Sequence, residues 1–265
     1  MTCIFLLSRL RNGPMNEIKA IGFDLFNTLL TVEAKTLETA NNLLFRTLLQ
    51  SGVNLDEEQF RKSYREAAMR FLEECRRDGT ETHNRFWISA ALQAQSFDIF
   101  PDDPLIASAV EAYFSAFYDR CHLIPGTREM LGTLKRFYRL GLLSNFTHGP
   151  AVRKIIDHLG LRPFFDVVLI SGELGYRKPH PMVFRKLVEG LGVESSQILY
   201  VGDDVGPDIV GARRSGLQPV WASYVQDHHI PYGPGILSRD TATPDSGVPR
   251  ISNWDDLLSL IHMST

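Results

Sequence analysis

The chain has 265 residues, 44% of them hydrophobic and 22% charged, with a formal net charge of -3. These are ordinary globular values, with room for one large domain or two smaller ones, and without a basic stripe they disfavour nucleic acid as a partner. No apolar run approaches the ~18 residues a transmembrane helix needs, so no membrane partner is expected.

At the start, the apolar residues Ile4 to Leu7 are followed, not preceded, by Arg9 and Arg11. That is the wrong order for a secretory signal, and the apolar part is too short. Residues 1–14 therefore read as a disordered extension ahead of Met15. The run Ile18 to Phe23 reads as a short buried strand that delivers Asp24 to its end. A carboxylate is costly to bury unpaired, so Asp24 belongs at the mouth of a site.

From Ala34 to Cys121 the pattern is helical. Leu37, Ala40, Leu44 and Leu48 repeat at helical spacing, and Phe60, Tyr64, Ala67, Ala68, Phe71 and Cys75 follow the same period. Phe86, Trp87, Ala90, Ala91 and Ala94 form a third stripe, and Ile106, Ala109, Val110, Tyr113, Phe114 and Phe117 a fourth. Four amphipathic helices predict a small bundle with the aromatics as its core.

After Pro125 and Gly126 strands and helices alternate. Helices are predicted over Thr127 to Arg136, Pro150 to Leu159, Pro179 to Leu191 and Ile209 to Ser215. Strands are predicted up to Ser144, over Val167 to Ser171, Ile198 to Val201 and Gln218 to Ala222. This alternation argues for an α/β fold: a Rossmann-like parallel sheet with helices on both faces. Val225 to Pro249 shows no period and reads as a long surface arm, and Trp254 to Ile261 as a closing helix capped by Ser252 or Asn253. Cys3, Cys75 and Cys121 are few and widely spaced, which suits reduced thiols in a cytoplasmic protein.

In an open parallel sheet the ligand site lies beyond the carboxyl ends of the strands. Asp24, Ser144 with Asn145, and Asp203 with Asp204 all follow predicted strands, Asp208 lies five residues past Asp203, and Lys178 precedes a helix. The acids Asp203, Asp204 and Asp208 beside Asp24 would repel one another without a cation, which favours a metal over simple turn acids. His148, His158, His180, His228 and His229 have no partner at ligand spacing.

The stretches GFDLFNTLL, LLSNF, GYRKPHPMVF and YVGDDVGPDIVGA resemble the four ordered motifs of the haloacid dehalogenase (HAD) superfamily of hydrolases. The helical segment after the first motif resembles that family's cap. The resemblance implies a catalytic core over residues 15–33 and 122–265 and a helical cap over 34–121, hinged near Thr31 to Ala34 and Cys121 to Pro125. It further implies that Asp24 attacks the substrate and forms a covalent aspartyl intermediate. Ser144 and Lys178 would assist catalysis, and Phe26, Asn145 and Lys178 would contact the substrate. Asp24, the carbonyl of Phe26, Asp203 and Asp208 would hold Mg²⁺. Arg46, Arg65, Arg70, Arg85 and Trp87 are candidates to face the site from the cap.

One position departs from the phosphatase pattern. Most phosphatases of this family carry a second aspartate two residues after the nucleophile as general acid and base, and this chain has Phe26 there. Phenylalanine cannot protonate a leaving group, a contribution typically worth about 10²–10⁴ in rate. The expected activity is a Mg²⁺-dependent phosphohydrolase acting on a small phosphorylated metabolite. Two alternatives stand beside it: a metal-independent 2-haloacid dehalogenase, whose branch carries an aromatic at this position, and a catalytically weak binding or regulatory protein of the same fold.

Overall fold

The computed structural model describes residues 18–231 and 243–261, so the expected extension over residues 1–14 and Cys3 lie outside the described residues. Strand β1 (Ala20–Phe23) leads through a turn to β2 (Leu30–Val32). Four helices follow: α1 (Thr36–Gln50), α2 (Glu57–Asp78), α3 (Asn84–Gln93) and α4 (Pro104–Ser115). Strand β3 (Cys121–Leu123) then returns antiparallel to β2, with Thr31 opposite His122. The remaining elements are α5 (Thr127–Leu134), β4 (Arg139–Ser144), α6 (Gly149–His158), β5 (Val167–Ile170), α7 (Ser171–Leu174) and α8 (Pro181–Leu191). After them come β6 (Ile198–Gly202), a π-type turn over Val205–Val210 continuous with α9 (Gly211–Arg214), β7 (Gln218–Ala222), α10 (Tyr224–Asp227), β8 (Arg250–Ile251) and α11 (Trp254–Leu260).

The sheet is six-stranded and parallel throughout, in the order β5-β4-β1-β6-β7-β8. Because side chains alternate along a strand, each strand feeds two cores. Ile21, Phe23, Leu140, Leu142, Leu199 and Val201 pack on one side of the sheet, in the same core as the residues of α5, α6 and α11. Ala20, Leu143, Ile198 and Tyr200 face the other side with Val183, Phe184, Leu187 and Leu191 of α8. On that side β1 presents Gly22, where a Cβ would meet the Tyr200 ring at 2.8 Å, so glycine is what admits the ring.

The four helices pack pairwise, α1 on α4 and α2 on α3, with Phe60, Tyr64, Trp87, Tyr113, Phe114 and Phe117 buried among them, as the spacing predicts. Their ends carry local stop and start signals. Asp56 Oδ1 accepts from the Gln59 N–H to cap α2, and Gly79, at φ +75°, closes the same helix in a left-handed conformation that favours glycine.

Phe86 and Ala94, expected in the third core stripe, are exposed, and the structure departs from the sequence reading in four further places. The link between the four helices and the sheet is a paired two-stranded ribbon, β2 with β3, where the sequence reading expects only hinges. These strands have three residues each, too short for a period to show. Pro179 does not open α8: it sits in a turn closed by the His180 N–H on the Arg177 carbonyl, and His180 Nδ1 then accepts from the Met182 N–H to start the helix at Pro181. The helix expected over Ile209 to Ser215 begins in the wider π-type turn at Val205, with α9 only four residues long. The expected arm over Val225 to Pro249 opens within α10 and runs up to the edge strand β8, and its residues 232–242 lie outside the described residues.

Candidate active site at the strand ends

Parallel pairing brings the carboxyl ends of β1, β4 and β6 side by side, and each ends in a polar residue the sequence singles out. Asp24 follows β1, Ser144 ends β4, and Asp203 follows β6. The π-type turn brings Asp208 back toward the same edge, where the Asp204 N–H donates to Asp208 Oδ2 at 2.9 Å. Ligand oxygens of Asp24, Asp203 and Asp208 lie within 4.8 Å of one another, and all three residues are buried.

Lys178 is the cation at the centre. Its Nζ donates to Asp24 Oδ1 at 2.5 Å and to Asp208 Oδ1 at 2.6 Å, with its side chain 2% exposed. Burial opposes the ammonium charge, yet the carboxylates of Asp208 and Asp24 outweigh it and hold the Lys178 pKa well above the ordinary lysine value. Burial raises the Asp208 pKa, and the neighbouring Asp24 and Asp204 add to that against the pull of Lys178. Burial likewise raises Asp204. Three clustered carboxylates thus face one ammonium, and an all-oxygen donor set with excess negative charge suits a hard divalent cation such as Mg²⁺.

Thr28 ties the cluster across strands. Its hydroxyl lies 3.4 Å from Asp24 Oδ2 and 3.2 Å from Asp203 Oδ1. The Trp221 indole N–H donates to the Asp203 carbonyl at 3.0 Å, which fixes the backbone of that turn. Ser144 is fully buried at the end of β4, and its hydroxyl has no hydrogen-bond partner. A buried hydroxyl left unpaired is costly, so it is suited to a ligand oxygen.

Two expected substrate contacts take a different form. The Asn145 amide is engaged by the main chain of Lys178: Oδ1 accepts from the Lys178 N–H at 2.8 Å and Nδ2 donates to its carbonyl at 3.0 Å. In this geometry Asn145 anchors the lysine main chain. Phe26 is 5% exposed, and its ring stacks on Phe146 at 5.0 Å, with Phe114 of α4 5.3 Å beyond. The nucleophile candidate therefore has an aromatic wall where a carboxyl group would supply a proton.

The cap-side candidates do not gather there. Arg46, Arg65 and Arg70 are exposed, and Arg85 pairs with Asp102 at 2.7 Å. Trp87 is buried within the helical bundle. What the sequence reading misses lies at the seam between helices and sheet. His148, in the loop after β4, sits between two residues of the helical segment, with Nδ1 2.9 Å from His83 Nε2 and Nε2 3.0 Å from Glu111 Oε1. Residues 83, 111 and 148 are too far apart in sequence for spacing to signal this. Beside them the loop after α2 clasps the core: Arg177 N–H donates to the Gly79 carbonyl and Glu81 N–H to the Gly175 carbonyl. The buried Glu81 carboxylate accepts from Ser171 Oγ at 2.6 Å and lies 3.3 Å from Arg177.

His180 caps α8 and stacks on Tyr176, and His228 stacks on Tyr224 of α10. Cys75 and Cys121 are buried free thiols. No helix among the described residues is long and apolar enough to cross a membrane.

A family model described as haloacid dehalogenase-like hydrolase matches residues 18–216. The glyceraldehyde 3-phosphate phosphatase of Methanopyrus kandleri is 32% identical over 209 residues, covering 77% of this chain and 83% of that protein. The enzyme of the same name from Pyrococcus abyssi is 29% identical over 208 residues, covering 78% of this chain and 82% of that protein. Among solved structures, the 2-haloacid dehalogenase of Pseudomonas syringae pv. Tomato DC3000 superposes with a TM-score of 0.69 at 22% identity, covering 92% of this chain and 98% of that one. At that identity the superposition speaks for the fold alone.

Proposed function

This chain belongs to the haloacid dehalogenase-like hydrolases, and on that premise we propose that it is a Mg²⁺-dependent phosphohydrolase acting on a small phosphorylated metabolite through an intermediate on Asp24. The observation that carries the reading is the buried group of Asp24, Asp203 and Asp208 around a single lysine. A dehalogenase working without metal has no use for so much uncompensated negative charge. The phosphatase names of the two archaeal relatives support the same choice. In this reading residues 15–33 and 122–265 form the catalytic core, and residues 34–121 form a cap that closes over the strand ends and excludes water.

A carboxylate oxygen of Asp24 attacks phosphorus, the bond to the leaving-group oxygen breaks, and an aspartyl phosphate forms; water then cleaves it and regenerates Asp24. The Ser144 hydroxyl, unpartnered as it stands, donates to a phosphoryl oxygen. Lys178 holds Asp24 in place and offsets the charge gathered on it. Asp24, the Phe26 carbonyl, Asp203 and Asp208 would hold Mg²⁺, which neutralises charge on the phosphoryl oxygens when bound. Phe26 supplies no proton, so the leaving group departs as a stable anion or takes its proton from water or the cap. The buried reduced thiols Cys75 and Cys121 suit a cytoplasmic setting.

Acetyl phosphate tests the reading, because its acetate leaving group needs no proton. Phosphate release that requires Mg²⁺ and disappears in Asp24→Asn is the expected result. Absence of release above the Asp24→Asn blank overturns it. Phe26 favours one competing reading, the 2-haloacid dehalogenase, which predicts chloride release from a 2-haloacid that persists in EDTA.

A further inference from the structure

Lys178 makes a third contact that the motif residues do not account for. An ammonium carries three N–H donors. Two reach Asp24 and Asp208, and the third reaches the Tyr200 hydroxyl at 3.1 Å. Tyr200 lies in β6, between Leu199 and Val201 that face the opposite core, and is fully buried.

The direction of each bond follows from the chemistry. Lysine has only donors, so the Tyr200 oxygen accepts from it. The single hydroxyl proton of Tyr200 then goes to the Leu143 carbonyl, 3.2 Å away. Asp208 Oδ1, the other acceptor in range, is farther at 3.5 Å and already receives a lysine N–H at 2.6 Å. The Leu143 peptide is the one that leads into Ser144. Tyr200 therefore links the lysine of the loop before α8 to the end of β4 that carries the unpartnered hydroxyl.

The ring itself is immobilised. Gly22 leaves it space on one side, and the Phe184 ring of α8 meets it edge-on at 5.3 Å. A lysine held only by two carboxylates could pivot about the line joining them, whereas a third acceptor on a fixed ring removes that freedom. We propose that Tyr200 is a positioning residue for the reaction, setting the Lys178 ammonium against Asp24 and tying it to the Ser144 peptide. The proposal rests on the reading of this site as a phosphohydrolase centre.

Tyr200→Phe keeps the ring and deletes the oxygen. A hydrogen bond to a charged group is at stake, so kcat for acetyl phosphate with Mg²⁺ should fall about 10- to 100-fold, with KM within about twofold. The double-mutant cycle with Lys178→Met separates positioning from a general packing role. If Tyr200 acts through the ammonium, Tyr200→Phe changes kcat by less than about twofold in the Lys178→Met background. An unchanged kcat in the native background, or the same loss in both backgrounds, overturns the proposal.

The same four proteins are also compared by thermal unfolding without substrate. Tyr200→Phe should lower Tm more when Lys178 is present than when it is absent, and equal shifts overturn the link. Should Lys178→Met fail to fold, Lys178→Leu, which also carries no donor, replaces it in both cycles. If the native protein releases no phosphate, it is the phosphohydrolase reading that fails, and the thermal cycle alone decides whether Tyr200 holds Lys178.

Discussion

The cluster at the strand ends and the seam between the helices and the sheet both place titratable groups out of water, yet they do so in opposite ways. In the cluster the lysine stays charged. Lys178 stands between Asp24 and Asp208, and its surroundings strengthen its positive form. At the seam burial does the reverse, and His83 and His148 are both pushed toward the neutral form. His83 Nδ1 accepts from the Arg85 N–H, so its proton resides on Nε2 and is donated to His148 Nδ1. His148 in turn donates its Nε2 proton to Glu111, whose other oxygen receives Lys154 at 3.1 Å. Each ring is thereby held in one tautomer. The cluster holds its lysine charged, and the seam holds its histidines neutral.

Removing the proposed nucleophile tests the cluster hardest. Asp24→Asn should lower phosphate release by on the order of 10⁴ or more, the scale seen when a covalent nucleophile is deleted. A residual rate near the native one in a phosphate-release assay would assign the chemistry elsewhere. Lys178→Met should then cost about 3–5 kcal/mol, because it leaves buried carboxylates without their cation. Denaturant titration measures that loss, and added Mg²⁺ should restore part of it by binding the same carboxylates. A loss no larger than that of a surface lysine would mean that the carboxylates are already neutral.

Phe26→Asp sharpens the contrast between charge and proton supply. With the aromatic wall replaced by a carboxyl group, hydrolysis of an alkyl phosphate ester should rise on the order of 10²-fold, and acetyl phosphate hydrolysis should change little. Equal effects on both substrates would show that proton supply is not what limits the native enzyme.

The smallest effect belongs to the seam. An unperturbed histidine takes up its proton near pH 6.5, while burial lowers His83 from that value to about 4. Between those values the unfolded chain binds more protons than the folded one, so the contribution is fully present above about pH 6.5 and declines as pH falls toward 4. Two hydrogen bonds of the seam are at stake, roughly 1–3 kcal/mol, which corresponds to a few degrees in Tm. Replacing His83 by Phe removes that titrating group and should flatten that part of the Tm-against-pH curve. A slope identical to the native protein's would place the acid sensitivity in other groups.

Much of this molecule was legible before any coordinates. Alternating apolar runs after Pro125 predict β4 to β7 within a residue or two, and helical spacing predicts α1 to α4. Asp24, Ser144, Lys178, Asp203 and Asp208 stand out in the sequence because each follows a strand or precedes a helix in a recognisable motif. Local pattern suffices there, since a strand's period and a motif's order are both properties of short stretches.

Tertiary structure decided the rest. Tyr200 looks like any apolar strand residue in the sequence, and only the approach of Lys178 across 22 positions makes its hydroxyl part of the site. Only the fold brings the Asn145 amide against the Lys178 main chain, 33 positions away. The relay of His83, His148 and Glu111 joins three segments whose separations carry no period. Hydrogen bonds between distant segments depend on how the helices settle on the sheet, and sequence spacing encodes only neighbours along one element.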